Sequence, residues 1–466
     1  MKQFAKREDQ GLLSFGKKAN YGVGGLIYML LANGIGQLAV WYNVIFKVDA
    51  LVVGSILLLP RLWDAITDPL MGHISDNTRS RWGRRRPYIL IGGILSGIFF
   101  SAMLLPPQSL SENGLNIYLL VTSVLFFTAF TVFTVSYNAL GLEMSTDYHE
   151  RSRVMAFRAY FYSFGTLIAF WGLWFATRSF FPTPIIGLNV TGILFGLIAV
   201  LATCYVFFTS REQEDIQKQD KIGIIDAVKF TFTSRPFLIL TVALVVFDLG
   251  LLIYLQLISY VNIYYVFGGD IAAGAVLGGL SATSFGVLKL FYVPMISKVG
   301  TRIGKEKTFG FGLISGGLGM ILTWFFYTPN YPYLQLALGF LYAFSFPTFE
   351  IFPQAIMADV CDLDEMEHGS RREGMFGASM GFATKLAMSA SPFIVGVILT
   401  FIGFDQNFTV QPDDVIFQMR IFQVVIPAIL ITAAGILIFA IKLPESKVRE
   451  VRAILEKRHA QQQTIN

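Results

Sequence analysis

Charge is what this chain has least of. Only 14% of its 466 residues are Asp, Glu, Lys or Arg, against about 25% in an ordinary soluble protein. Cysteine is nearly absent as well: Cys204 and Cys361 are too few and too far apart for a disulfide framework or a thiolate metal site. Histidine is scarce. His73, His149 and His368 fall at or beyond the ends of the apolar segments and His459 lies in the polar tail, so none is placed to act as a metal ligand or general base. No Ser–His–Asp set, zinc spacing or phosphate-cradling glycine loop appears. These absences argue against an enzyme, and they call for no cofactor and no metal centre. The first twenty residues are polar and lack the pattern of a cleaved signal, so the first apolar segment is expected to act as an uncleaved insertion signal.

What the chain does have is apolar length. It is 54% hydrophobic, with 44 Phe and 43 Gly and a mean hydropathy of +0.59. Length alone would suggest about three soluble domains, but apolar runs of about 20 residues recur from end to end, each long enough to cross a bilayer as a helix. The pattern predicts an all-α integral membrane protein with twelve transmembrane helices. They are expected at about 21–46, 51–75, 87–106, 116–141, 153–177, 187–209, 236–266, 271–296, 308–327, 332–357, 374–403 and 417–443. Loops on the N-terminal side of the membrane hold most of the Lys and Arg, including Arg79, Arg81, Arg84, Arg85, Arg86, Lys298, Arg302, Lys305, Lys307, Arg371 and Arg372. Opposite loops hold little beyond Lys47 and Arg178. The positive-inside rule then places both termini in the cytoplasm of a cell that carries this multi-pass protein in its inner membrane. It also accounts for the net charge of +5 without a nucleic-acid partner.

The polar stretch at 210–235 divides the helices six and six. The expected organisation is an N-terminal six-helix bundle at 1–209, a central cytoplasmic linker at 210–235, a C-terminal six-helix bundle at 236–443 and a cytoplasmic tail at 444–466. Within the linker, 222–232 suits either a short amphipathic helix on the membrane surface or a flexible tether. The halves echo each other. Gly72, Asp76, Arg81, Gly83, Arg84 and Arg85 follow the second predicted helix, and Arg302, Gly304, Lys305 and Lys307 follow the eighth. Asp147, Glu150 and Arg151 follow the fourth; Asp359 and Asp362 follow the tenth, with Arg371 beyond. Two such repeats are the plan of a secondary transporter, and an acid-plus-base pattern at matching places suits a charge clasp for alternating access. A generic solvated, positive-inside loop is the plainer alternative.

Against this apolar background, eight ionisable residues fall inside the predicted spans, apart from the helix ends: Arg61, Asp64, Asp68, Arg158, Asp248, Lys289, Glu350 and Lys385. Such residues seldom face lipid; they pair, or they line a polar path. Asp64 and Asp68 are four apart and so share a helix face, where two like charges repel. Arg61 neutralises Asp64 on the simplest reading and leaves Asp68 to be explained by a bound cation or proton. Arg158 and Lys385 hold corresponding places in the two halves. Donors there suit hydroxyl oxygens and, better, a carboxylate or phosphate; the plainer alternative is that they neutralise Asp64 and Asp68. Asp248, Lys289 and Glu350 read as structural or interfacial charges.

The segment from Arg61 through Trp63, Asp64, Thr67, Asp68, Pro69 and Gly72, followed by Asn77, Arg79, Arg81, Trp82 and Gly83, resembles the glycoside–pentoside–hexuronide:cation symporters typified by melibiose permease, a branch of the major facilitator superfamily. The resemblance extends to Ala358, Asp359, Asp362, Gly369, Arg371, Arg372 and Gly374 and to Lys385, and so covers nearly the full length. It implies a major facilitator fold and a Na⁺, Li⁺ or H⁺ site built from Asp64 and Asp68. Thr67 stands where the family often has Asn, and Thr131 matches a family oxygen ligand. Of the family's sugar-site residues, Arg158 and Lys385 are kept, while Met29 and Thr134 stand where carboxylates would be expected. Tyr137 and Asn138 are placed to stack on a sugar ring and hydrogen-bond to it; ordinary packing is the other reading of Tyr137. A pocket that loses two anions and keeps two cations should suit an acidic sugar such as a uronide or oligouronide. The expectation is a cation-coupled sugar or glycoside importer working as a monomer. The alternatives are a carrier of a lysolipid or other amphiphile, which predicts an apolar cleft open sideways between helices, and a non-transporting sugar sensor.

Overall fold

The computed structural model describes residues 13–144, 148–210, 234–368, 373–443 and 446–455. Among the described residues there is no strand, and twelve helices are long and apolar enough to cross a membrane. They are α1 (Phe15–Val44), α2 (Ala50–Asn77), α3 (Arg86–Met103), α4 (Glu112–Glu143), α5 (Tyr148–Phe170), α6 (Pro184–Thr209), α7 (Arg235–Tyr260), α8 (Ile271–Ile303), α9 (Lys305–Phe326), α10 (Leu338–His368), α11 (Glu373–Phe401) and α12 (Asp413–Ile438). A further helix, α13, covers 446–455.

The helices outrun the apolar runs that announce them, because hydrogen bonding and capping do not stop at the membrane boundary. α1 begins at Phe15 rather than near 21, where the Ser14 side chain accepts from the Lys17 N–H. α4 begins at Glu112 after Ser111, which accepts from Gly114. Each cap satisfies an N–H that the helix leaves unbonded. Three local departures also appear. The expected single helix at 153–177 breaks at Trp171, and Gly172–Ala176 forms a separate short turn. α7 passes into a π-helical turn at Val261–Val266. α8 continues through Ile303, so the basic stretch expected as a loop is helical. Only Gly304, at φ +93°, separates α8 from α9, a left-handed backbone that glycine adopts without a Cβ clash.

The chain forms two compact units. One gathers α1–α6 with residues 267–282 and 392–411; the other gathers 234–266, 283–391 and the chain from Pro412. This cuts across the expected division at 210–235: the start of α8 and the end of α11 belong to the first unit. Glycine makes that possible. A Cβ on Gly279 would lie 2.7 Å from the Trp171 ring, and one on Gly396 2.6 Å from the Leu51 backbone. Small residues let helices in a membrane approach closely enough for dispersion to hold them.

Within the first unit α1 lies along α5, α2 beside α4, and α3 against α4 and α6. The α1–α5 contact matters most for the site. A Cβ on Gly165 would come 2.4 Å from the Leu26 carbonyl oxygen, so the two backbones touch. In the second unit α12 packs on α7 and α9, and α9 packs on α10. α13 buries Val448, Val451 and Leu455.

Candidate cation and substrate site

Asp64 and Asp68 project from α2 toward α4, where Thr131 lies between them. The Thr131 hydroxyl stands 3.3 Å from Asp64 Oδ1 and 3.0 Å from Asp68 Oδ1. Asp64 is 4% exposed and Asp68 half-buried. A threonine has one hydroxyl hydrogen, so it donates to one carboxylate at a time. Arg61 supports the first: its guanidinium is 3.5 Å from Asp64 Oδ2 and packs over the Phe127 ring at 4.4 Å. Thr67 is buried, and its hydroxyl donates to the Trp63 carbonyl at 3.3 Å, one turn back on its own helix. The Trp63 indole N–H is tied to Thr128 Oγ1 at 3.1 Å, which fixes α2 against α4. Pro69 adds an oxygen that the sequence reading passed over. Proline has no N–H to donate, so the helical donor to the Ala65 carbonyl is missing inside the Asp64–Asp68 turn. Carboxylate, hydroxyl and carbonyl oxygens are hard donors suited to an alkali cation.

The predicted substrate residues of the first unit divide into two groups. Arg158 and Asn138 come together: an Arg158 N–H donates to Asn138 Oδ1 at 3.0 Å, and the guanidinium packs over Tyr162 at 5.1 Å. Both are half-buried. Guanidinium carries five donors; one goes to Asn138 and the group also hydrogen-bonds to the Tyr21 hydroxyl. Met29 is half-buried on α1, with its carbonyl and sulfur facing the Asn33 amide at 2.9 and 3.6 Å. Thr134 is buried and its hydroxyl turns back to the Thr131 carbonyl at 3.5 Å. Tyr137 is corrected by the structure. It is 0% exposed, stacked between Tyr21 and Phe133, with its hydroxyl donating to the Tyr21 carbonyl at 3.0 Å. No ring face is left for a ligand, so Tyr137 is a packing residue. Lys385 lies on α11 in the second unit, half-buried, its carbonyl accepting from Ser389 at 2.7 Å.

The loop residues form local charge contacts. Arg85 meets Asp76 at 2.7 Å and Ser75 at 3.3 Å. Gly83 takes φ +100° in the turn, and Arg81 packs over Trp82 at 5.0 Å. Gly72 has open space where a side chain would be, and Arg84 lies in the loop beside Arg85 with a partner of its own. In the second unit Asp359 meets Lys305 at 2.6 Å and Arg452 at 2.9 Å, and Arg452 also reaches Asp362 at 3.0 Å. Asp147, Arg371 and the Arg151 side chain lie outside the described residues, as do the 222–232 segment and the tail beyond 455.

Several contacts escaped sequence reasoning. Arg452 sits in the tail at 444–466, for which no contact was expected. Glu150 is 0% exposed and gathers Lys18 at 2.7 Å, Arg153 at 2.9 Å and the Leu13 N–H at 3.0 Å. Burial pushes its carboxyl up, but those donors outweigh burial and hold it below the ordinary carboxylate range. Asn33 and Thr166 meet at 3.2 Å across α1 and α5. The signal available for that pair was the four-residue spacing of Arg158, Tyr162 and Thr166, which puts them on one helix face. Lys289 and Glu350 turn out to be each other's partners at 2.6 Å.

Residues 20–445 match the sequence model of a family described as MFS/sugar transport protein. The chain is 26% identical over 432 residues to a putative glycoside/cation symporter, YagG, of Escherichia coli (strain K12), covering 92% of each protein. It is 22% identical over 440 residues to the glucuronide carrier protein homolog of the same strain, covering 93% of each. Among solved structures, the crystal structure of a D-xylose-proton symporter aligns with a TM-score of 0.66 at 16% identity, covering 93% of this chain and 99% of that one. That likeness establishes the major facilitator fold.

Proposed function

Because this multi-pass membrane chain belongs to the MFS/sugar transport protein family, whose members are transporters rather than enzymes, we propose that it is a cation-coupled symporter importing a sugar or glycoside by alternating access across the inner membrane, both termini in the cytoplasm. The observation that carries the reading is Thr131 held between Asp64 and Asp68. Two carboxylates sharing one hydroxyl in a bilayer gain from a positive partner that contacts both. Na⁺, Li⁺ or H⁺ meets that need, with the Ala65 carbonyl and the Thr67 hydroxyl nearby as further oxygens. The cation binds first and draws α2 and α4 together. Substrate then engages Arg158 in the first unit, and the loaded protein turns inward.

The substrate is acidic on this reading. Met29 and Thr134 bring no carboxylate to the sugar-binding helices, while Arg158 has more donors than its contacts with Asn138 and Tyr21 use. A guanidinium in a partly buried place pairs best with a carboxylate or sulfonate. A uronide fits, and the relative named as a glucuronide carrier protein homolog is consistent with it. An amphiphile cargo fits less well. The first unit does carry an apolar groove of about 380 Å³, lined by Leu167, Trp171, Phe175, Leu194 and Phe195. The one hydroxyl lining it, from Thr191, is spent on the Gly187 carbonyl, and no charged side chain lines it to pair with a head group.

The test is uptake into proteoliposomes with an imposed Na⁺ or H⁺ gradient. Wild type should accumulate sugar only with the gradient, uronides should compete better than neutral sugars, and Asp68→Asn should lose accumulation while keeping exchange. Gradient-driven uptake at the wild-type level in Asp68→Asn would refute the cation assignment.

A further inference from the structure

Beyond Arg158, the α1–α5 seam carries a second polar point that none of the expected site residues explains. Arg158, Tyr162 and Thr166 recur every four residues along one face of α5. Across the seam, Tyr28 stacks on Tyr162 with centroids 5.3 Å apart and planes 12° off parallel. Asn33 then reaches Thr166 at 3.2 Å. Asn138, Arg158, Tyr162, Tyr28, Thr166 and Asn33 thus form a continuous strip, and every one of them is half-buried. A fully packed polar residue of the same helices behaves differently: Ser136 on α4 is 0% exposed.

The hydrogen bonding of the far end is incomplete in a specific way. The Asn33 amide nitrogen is committed to the Met29 carbonyl and to Thr166 Oγ1. Because Thr166 accepts from Asn33, its own hydroxyl hydrogen remains available, and Asn33 Oδ1 accepts from no described residue. An acceptor and a donor side by side match one sugar hydroxyl, which both gives and receives a hydrogen bond. A polar pair inside a bilayer gains from completing those bonds. Close backbone packing at Gly25 and Gly165 keeps the two helices, and therefore the pair, in a set position.

The distance fixes the size of the ligand. Arg158 and Thr166 are eight residues apart on a continuous helix, about 12 Å at 1.5 Å per residue. One pyranose ring does not reach from the guanidinium to Asn33; two linked rings do, with the Tyr28–Tyr162 aromatic step beneath the linkage.

We propose that Asn33 and Thr166 form a second, hydroxyl-reading subsite, and that the substrate is a glycoside of at least two rings with its acidic end at Arg158 and its far ring at Asn33 and Thr166. This rests on the transport reading above. The test uses the full chain in proteoliposomes and measures half-saturating concentrations for exchange of two probes, methyl glucuronide and a glucuronosyl-xylose disaccharide. In wild type the disaccharide should bind about tenfold more tightly, the effect of one or two well-made hydrogen bonds. Asn33→Ala and Thr166→Val should each erase most of that preference while leaving methyl glucuronide unchanged, and Thr166→Ser should restore it. An unchanged preference in both variants, or an equal loss for both probes, would overturn the subsite and leave the transport reading intact. Exchange of neither probe by wild type would remove the uronide reading and this subsite together. Thr166→Val replaces a hydroxyl by a methyl of the same shape, so a failure of Asn33→Ala to fold still leaves a variant that decides.

Discussion

The two units handle membrane-buried charge in opposite ways. In the first, acids and donors converge. Asp64 and Asp68 face one Thr131 hydroxyl, with Arg61 alongside, and Arg158 is steadied by Asn138. In the second, charges are settled pairwise or left apart. Lys289 and Glu350 close on each other at 2.6 Å. Arg420 packs over both Tyr265 and Trp324 at 4.0 and 4.1 Å. Asp248 makes no hydrogen bond or ion pair with any described residue. Two six-helix repeats of one plan have therefore diverged in chemistry. Convergence of unlike oxygens makes a site, whereas a closed pair spends its charge on structure.

The strongest way to break this comparison is to exchange the acids' fates. Asp64→Asn should weaken cation activation of uptake about 10- to 100-fold, the cost of removing a charged partner from a buried contact. Asp248→Asn should leave the cation concentration for half-activation unchanged. Equal effects would mean that the second unit also holds cation chemistry.

A smaller effect is expected at the Glu150 end of the first unit. Glu150→Gln leaves Lys18 and Arg153 without their shared carboxylate and should cost about 1–3 kcal/mol, read as a lower unfolding temperature in detergent. The pH dependence has a definite sign. The folded carboxyl is held below its unfolded value, so its stabilisation is fully present above about pH 4.3 and is lost as pH falls through the folded value. Wild type should lose stability on that acid limb, and Glu150→Gln should show a flatter profile there. An identical acid limb in both proteins would contradict the assignment.

The smallest effect belongs to the pair in the second unit. The Lys289 and Glu350 side chains are 25% and 50% exposed and so only partly shielded by the rest of the protein, and a pair of that kind contributes under about 1 kcal/mol where water reaches it. Lys289→Met alone should lower stability slightly, and adding Glu350→Met should restore it, because the lone carboxylate then no longer lacks a partner. Loss of transport in the double variant would show that the pair is more than structural.

Much of this was legible before any coordinates. Apolar length found twelve spans, and each overlaps one of α1–α12. The Asp64–Asp68 spacing announced a shared face, and Thr131 was singled out through the family resemblance. What hydropathy misjudged were ends and junctions. It stopped α1 near 21, although Ser14 caps the helix earlier, and it read a loop where α8 runs to Gly304. It also offered Tyr137 as a ring-stacking wall. A tyrosine on a helix face looks the same in sequence whether the face meets a ligand or another tyrosine, and only the packing of Tyr21 against it settles the matter.

By itself, then, the sequence determined the membrane class, the number of spans and which charged residues fall within them. These follow from local properties, because a bilayer tests each segment for apolar length and penalises each charge separately. Tertiary structure alone decided which groups meet. Thr131 reaches Asp64 across 67 residues, Asn33 reaches Thr166 across 133, and Arg452 reaches Asp359 across 93. Such contacts depend on how far each helix is rotated about its axis and how closely glycines let its neighbours approach. A separation in sequence carries neither quantity.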